Sequence, residues 1–217
     1  MPGKEGNEMA KSRTIKKPDE RRKEIILAAR ELFQTKEYDR TTMQELMNIL
    51  NIAKGTIYHY FSSKEELLEA VVEELVDEEL ERKKQLMESS RFRTLNALEK
   101  IRELATSDTM AEENEQILEN LHQPGNTLMH TRQLGRYLIK LAPVFAAVFE
   151  EGCDQGIFKT DHPLECAEFL LAGLQFLTDV GFYPWSEDQL ARRMSAFPSL
   201  VEAQLGAPKG SFSFLAE

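Results

Sequence analysis

TMQELMNILNIAKGTIYHYFSSKEEL, residues 42 to 67, is the stretch on which the reading of the chain turns. It holds two short segments of helical spacing, 43–50 and 54–60, broken by Asn51-Ile52-Ala53. Thr42-Met43-Gln44-Glu45 and Ser63-Lys64-Glu65-Glu66 each match a capping box, in which a hydroxyl and a glutamate satisfy free N–H groups at a helix start. The second short helix therefore runs straight into a third, long one. Its apolar positions Leu67/Leu68, Val71/Val72, Leu75/Val76 and Leu80 keep helical period while the outer face is charged.

Two short helices across a tight turn, followed by a helix and not by a β-wing, have the layout of a helix-turn-helix. At about 100° per residue, projecting 54–61 separates two faces. Ile57 and Phe61 fall together and form the expected buried side. Gly55, Thr56 and His59 lie opposite, with Tyr58 and Tyr60 flanking them. A DNA major groove admits a helix and offers donors and acceptors on its base edges. Lys54, Thr56 and His59 are placed to reach those edges. Gly55 lets the backbone approach a phosphate. Tyr58 and Tyr60 face the two sugar-phosphate walls, where a phenolic O–H positions the helix without reading sequence. Thr42 and Lys64, at neighbouring helix starts, are further phosphate ligands on this reading.

The net charge of −10 argues against nucleic acid only as a total. Residues 1–63 carry 12 Lys/Arg against 9 Asp/Glu, and the remaining residues 15 against 28. A basic end on an acidic body is the resulting pattern. Residues 1–18 read as a disordered basic arm on composition. No apolar run reaches the roughly 18 residues of a membrane span, and no signal-peptide stretch opens the chain, so a cytoplasmic protein is expected. Cys153 and Cys166 lack metal-ligand spacing and are expected as thiols; neither a metal site nor a cofactor is expected.

Strand signals are nearly absent and the chain reads as all-α. A first helix spans about 19–35, with Ile25/Ile26, Ala29 and Leu32/Phe33 on one stripe. Beyond the long helix, others are expected at about 94–107, 110–122, 128–156, 162–179 and 186–204. Pro143 should begin or kink a helix. Ser186-Glu187-Asp188-Gln189 is a third capping-box match. The domains follow: arm 1–18, helix-turn-helix domain 19–66, larger helical domain 67–205 and C-terminal tail 206–217.

The segment RRKEIILAARELFQTKEYDRTTMQELMNILNIAKGTIYHYFSSKEELLEAVVEEL, residues 21–75, resembles the N-terminal domain of TetR-family transcriptional regulators. The likeness rests on A..LF, the Thr-Thr helix start and KGTIYHYF.SK..L, in order and spacing. It implies that Thr42, Lys54, Thr56, Tyr58, His59, Tyr60 and Lys64 match positions that commonly meet DNA. One departure is Asn48-Ile49-Leu50-Asn51, where many members place a glycine in the turn. Asn51 is expected to take the left-handed conformation instead.

LAPVFAAVFEEGCDQGIFKTDHPLECAEFLLAGL, residues 141–174, is similar to the linker between the family's late helices. The resemblance implies a homodimer pairing its last two long helices, a palindromic double-stranded DNA operator, and a small-molecule effector that releases a repressor from it. Ala167, Leu170/Leu171 and Leu174 form one stripe that serves either an internal core or such a dimer. An effector cavity would lie among the fourth to eighth helices. Its candidate lining is Met87, Phe92, His122, His130, Arg132, Tyr137, Phe145, Phe149 and Phe176, each more often ordinary packing than pocket wall. Two other readings stand beside this one. The first is a helical enzyme or a metal/thiol sensor using Cys153, His162 and Cys166, although HExxH, GxSxG, GxGxxG and P-loop motifs are lacking. The second is a helix-turn-helix that binds protein.

Overall fold

The computed structural model describes residues 17–36, 38–107 and 114–216. Of the arm read at 1–18, residues 1–16 lie outside the described residues, as does the start of the helix expected at 110, while Lys17 caps α1 and Pro18 is its first residue. The described residues contain helices and turns and no strand. None of their helices is long and apolar enough to cross a membrane.

α1 (Pro18–Thr35) starts on a proline, whose missing N–H and fixed φ suit a first helical turn. A 3-10 turn (Tyr38–Arg40) leads to α2 (Met43–Leu50), α3 (Lys54–Tyr60) and α4 (Lys64–Glu88). Next come α5 (Ser90–Thr94), α6 (Ala97–Thr106), α7 (Glu115–Leu121), α8 (Thr127–Asp154), α9 (Pro163–Thr178) and α10 (Glu187–Leu205). α5 was not expected from the sequence. Its start is fixed by Ser89, whose hydroxyl accepts from the Phe92 N–H at 3.1 Å. Pro143 lies within α8, which continues past it.

Two apolar cores are strung on α4. The first joins the α1 stripe, Met43, Leu46, Met47, Ile57 and Phe61 to Leu67–Leu75 of α4, and is completed by Ile117, Leu121 and Met129 from α7 and α8. The second begins at Val76 and Leu80 of α4 and includes Phe92, Ile101, Leu104, Phe145, Phe149, Phe158, Ala167 and Leu205. The segment from 206, set apart as a tail on sequence, packs onto this second core. Phe212 is buried there, and Glu202 Oε1 accepts the N–H groups of Gly210 at 2.8 Å and Phe212 at 3.2 Å. A short Gly/Pro/Ser-rich stretch has no periodicity to announce which of its phenylalanines is buried.

Candidate nucleic-acid interface

The turn before α3 is closed by Asn51, which adopts φ 50° and ψ 49°. The Ile52 N–H then reaches the Met47 carbonyl at 3.0 Å, the 6→1 bond that helices ending in a left-handed residue make. This fixes the angle at which α3 leaves α2. Ile57 and Phe61 are fully buried in the first core and hold α3 down by one side. Lys54, Gly55, Tyr58 and His59 are exposed, and Thr56 is half-buried. Tyr60 departs from the symmetrical flanking position read on the helical projection, because it packs half-buried against the first core. His59 meets its ring edge to face, with centroids 5.0 Å apart.

Charge is distributed unevenly around this face. The α1 cations Arg21, Lys23 and Arg30 are paired with Glu24, Glu74 and Glu78. Lys54 has no carboxylate partner among the described residues; its ammonium lies 5.6 Å from the Tyr58 ring centroid. A cation over an aromatic face keeps its full charge available to an incoming anion.

Both capping boxes expected at this end form only in part. The Thr42 hydroxyl accepts from the Glu45 N–H at 3.2 Å, but the Glu45 carboxylate turns to Lys36. The Ser63 hydroxyl accepts from the Glu66 N–H at 3.1 Å, while the Glu66 carboxylate takes the N–H and hydroxyl of Ser62, each at 2.6 Å. Those two donors hold the Glu66 carboxyl below its ordinary value, the hydroxyl contributing most. Lys64 reaches across to the Tyr38 carbonyl at 2.7 Å and the Thr41 carbonyl at 3.2 Å, with its ammonium 4.0 Å from the Tyr38 ring centroid. It thus braces the 3-10 turn against α4. Burial, followed by Glu65 and Asp39, pushes the Tyr38 phenol far up and keeps it neutral.

The candidate effector residues sit in different surroundings. Phe92, Phe145 and Phe149 are buried in the second core, and Met87 and Tyr137 pack half-buried against it. Arg132 is exposed on α8. Two concave regions are lined by other residues: a surface groove of about 500 Å³ beside Leu27, Glu31 and Ile49, and one of about 160 Å³ at Tyr38, Asn120 and Gln123.

His122 and His130 do come together, on a partner that the sequence reading missed, Asp179. His130 Nε2 stands 2.9 Å from Asp179 Oδ2, and His122 Nε2 3.6 Å from Asp179 Oδ1. Phe176 joins the same region through Phe182, which stacks on His130. Burial is the main cause of a lowered His122 pKa. Asp179 is held below its ordinary value because hydrogen bonds from His130 and the Gly181 N–H outweigh its burial. The Cys153, His162 and Cys166 grouping is interrupted by Thr160, which accepts from Cys153 at its carbonyl and lies 3.1 Å from Cys166 Sγ at its hydroxyl.

The sequence and fold match known proteins at both ends. Residues 25–71 match the family of bacterial regulatory proteins, tetR family, and residues 109–200 match the tetracyclin repressor-like C-terminal domain. The HTH-type transcriptional regulator YfiR of Bacillus subtilis (strain 168) is 30% identical over 164 residues, covering 70% of this chain and 76% of that protein. A TetR-family transcriptional regulator from Pectobacterium atrosepticum superposes with a TM-score of 0.65 at 20% identity, over 89% of this chain and all of the other. A transcriptional regulator from Cytophaga hutchinsonii superposes with a TM-score of 0.58 at 18% identity, over 85% and 94%. With a regulator-like head, a matching body and a relative alike over most of its length, this chain belongs to the TetR family of transcriptional regulators.

Proposed function

We propose that the protein is a homodimeric repressor that reads a palindromic operator through α3 and is released from it by a small-molecule effector. The observation that carries the DNA half is the division of α3. Ile57 and Phe61 anchor one side completely, and Lys54, Gly55, Tyr58 and His59 are left facing solvent. A β-carbon at Gly55 would meet nothing within 4 Å, so no packing among the described residues requires the glycine. A backbone brought close to a phosphate does. In this reading Thr56 and His59 contact base edges, and Lys54, Tyr58, Tyr60, Thr42 and Lys64 serve the phosphates.

The dimer is supported by α9 and α10. Of the sixteen residues of α9 only Cys166 and Ala167 are buried, while Phe169, Leu174, Phe176 and, on α10, Leu200 remain exposed. The stripe read from sequence is therefore divided: Leu170 and Leu171 turn inward and Leu174 outward. An apolar face of this extent suits a second copy, and a two-fold pair presents two copies of α3 to two half-sites. An effector acts on such a dimer only by binding one spacing of the heads better than the other.

Selection from random duplexes followed by titration against salt tests the proposal. A palindromic site should emerge, with log K falling steeply as log[salt] rises. Failure to enrich any duplex, or binding insensitive to salt, would reject it.

A further inference from the structure

The polar cluster of His122, His130 and Asp179 has no part in the interface described above, and its geometry is unusual for a core. The three residues come from three separate places: the end of α7, the first turn of α8, and the residue that caps α9. Their ligand atoms all lie within 4.8 Å of one another. We propose that His122, His130 and Asp179 form a binding site for a divalent transition-metal ion.

The donor spacing fits such an ion. With metal–ligand bonds of about 2.0–2.1 Å, a tetrahedral site separates its donors by roughly 3.3 Å. The separations of 2.9 Å and 3.6 Å from Asp179 to His130 and His122 bracket that value. The two carboxylate oxygens face different histidines, so one ion between them needs only a small rotation of the rings. Coordination through His130 Nε2 moves the proton of a neutral imidazole to Nδ1. Two imidazoles and a carboxylate favour zinc, cobalt, nickel or iron(II) over magnesium and calcium, which take oxygen ligands. Three protein ligands leave a fourth position for water.

The surroundings orient the donors. The Gly181 N–H donates to Asp179 Oδ1 at 2.7 Å and aims the carboxylate. A β-carbon at position 181 would stand 2.2 Å from His122 Cδ2, so only glycine lets that imidazole close over the carboxylate. Phe182, stacked on His130 with centroids 5.1 Å apart, forms an apolar back wall. His130 is buried, whereas 32% of the His122 side chain is exposed, giving an ion a way in.

The position gives the ion mechanical reach. Leu121 and Met129, the chain neighbours of His122 and His130, belong to the core of the reading head. Asp179 ends α9, which carries the exposed apolar face. An ion here clamps the head to the helix proposed for dimerisation.

The test uses the full chain, stripped with chelator and titrated with cobalt(II), without DNA, so its failure leaves the operator reading intact. Visible d–d absorption of tetrahedral or five-coordinate type should saturate at one ion per chain, zinc should displace it, and millimolar magnesium should not. His122→Ala, at the rim, should fold normally by circular dichroism yet weaken affinity at least about tenfold, as should Asp179→Asn. No saturable spectrum overturns the proposal. So does full affinity in both variants, or a near-ultraviolet thiolate band placing the ion on Cys153 or Cys166.

Discussion

Lys83 Nζ stands 2.8 Å from Glu79 Oε1 and 2.9 Å from the Leu104 carbonyl, with both side chains almost wholly buried. Arg82 completes the arrangement from the rim, donating from Nε and Nη2 to Glu79 Oε2 at 3.0 and 2.7 Å. Removing one partner leaves the other charged in a dry interior. Glu79→Ala should therefore lower unfolding stability by about 3 kcal/mol or more. Glu79→Leu combined with Lys83→Met should recover most of that loss. Urea denaturation of the three proteins checks it, and equal losses in single and double variants would contradict the buried pair.

Asn51 sits in the left-handed region, where a β-carbon is unfavourable by about 1 kcal/mol and glycine is not. Asn51→Gly should be neutral to slightly stabilising and Asn51→Ala destabilising by about 1 kcal/mol. The thermal midpoints should fall in the order Gly, Asn, Ala. Any other order would mean that the turn is held by something besides its dihedral angles.

Glu66 ties the start of α4 to Ser62 only while ionised. Its folded pKa lies below the ordinary value near 4.5, so its contribution is complete above that value and is lost as pH falls through the folded pKa. Glu66→Gln should thus be less stable than the parent at pH 7, by under about 1 kcal/mol because the group is largely exposed. The difference should shrink steadily below pH 4.5. A gap that persists to pH 2.5 would assign it to packing instead.

On α3, Tyr58→Phe removes a phenolic O–H that the proposed reading sends to a phosphate. It should weaken binding to all duplexes about equally. His59→Ala should instead relax preference at one position of each half-site, by about 1–3 kcal/mol. Site selection with the two variants separates these roles, and an unchanged profile for His59→Ala would remove it from the base-reading set.

Phe169, 72% exposed near the middle of α9, is the natural centre of the proposed interface. Phe169→Glu should turn the dimer into a monomer by sedimentation and lower operator affinity at least tenfold, while leaving helicity unchanged. A dimer of undiminished strength would move the interface elsewhere.

The head was legible because each of its elements states its own boundaries and inward face: Ile57 with Phe61, Ser63 before α4, Asn51 in the turn. The body was legible as helices but not as surfaces. Periodicity placed Leu170, Leu171 and Leu174 on one stripe and had no means to say which faced the core. Phe92, Phe145 and Phe149 looked like pocket lining because an aromatic in a core and one in a cavity share the same spacing. Glu66 chose Ser62 over Ser63 for reasons of local geometry that two adjacent serines do not disclose. Asp179 was invisible as a partner of His122 and His130, since it lies 49 residues beyond the nearer histidine and is brought to it by the packing of α9 on α8.

Ile117, Leu121 and Met129 belong to the core of the head although they follow it by more than forty residues. The reading head is therefore not a transplantable cartridge. Cut after residue 66, it would lose these three side chains together with the α4 residues Leu67 to Leu75, and expose the apolar wall they cover. A chimaera joining this head to another body must carry α7 and the first turn of α8 with it.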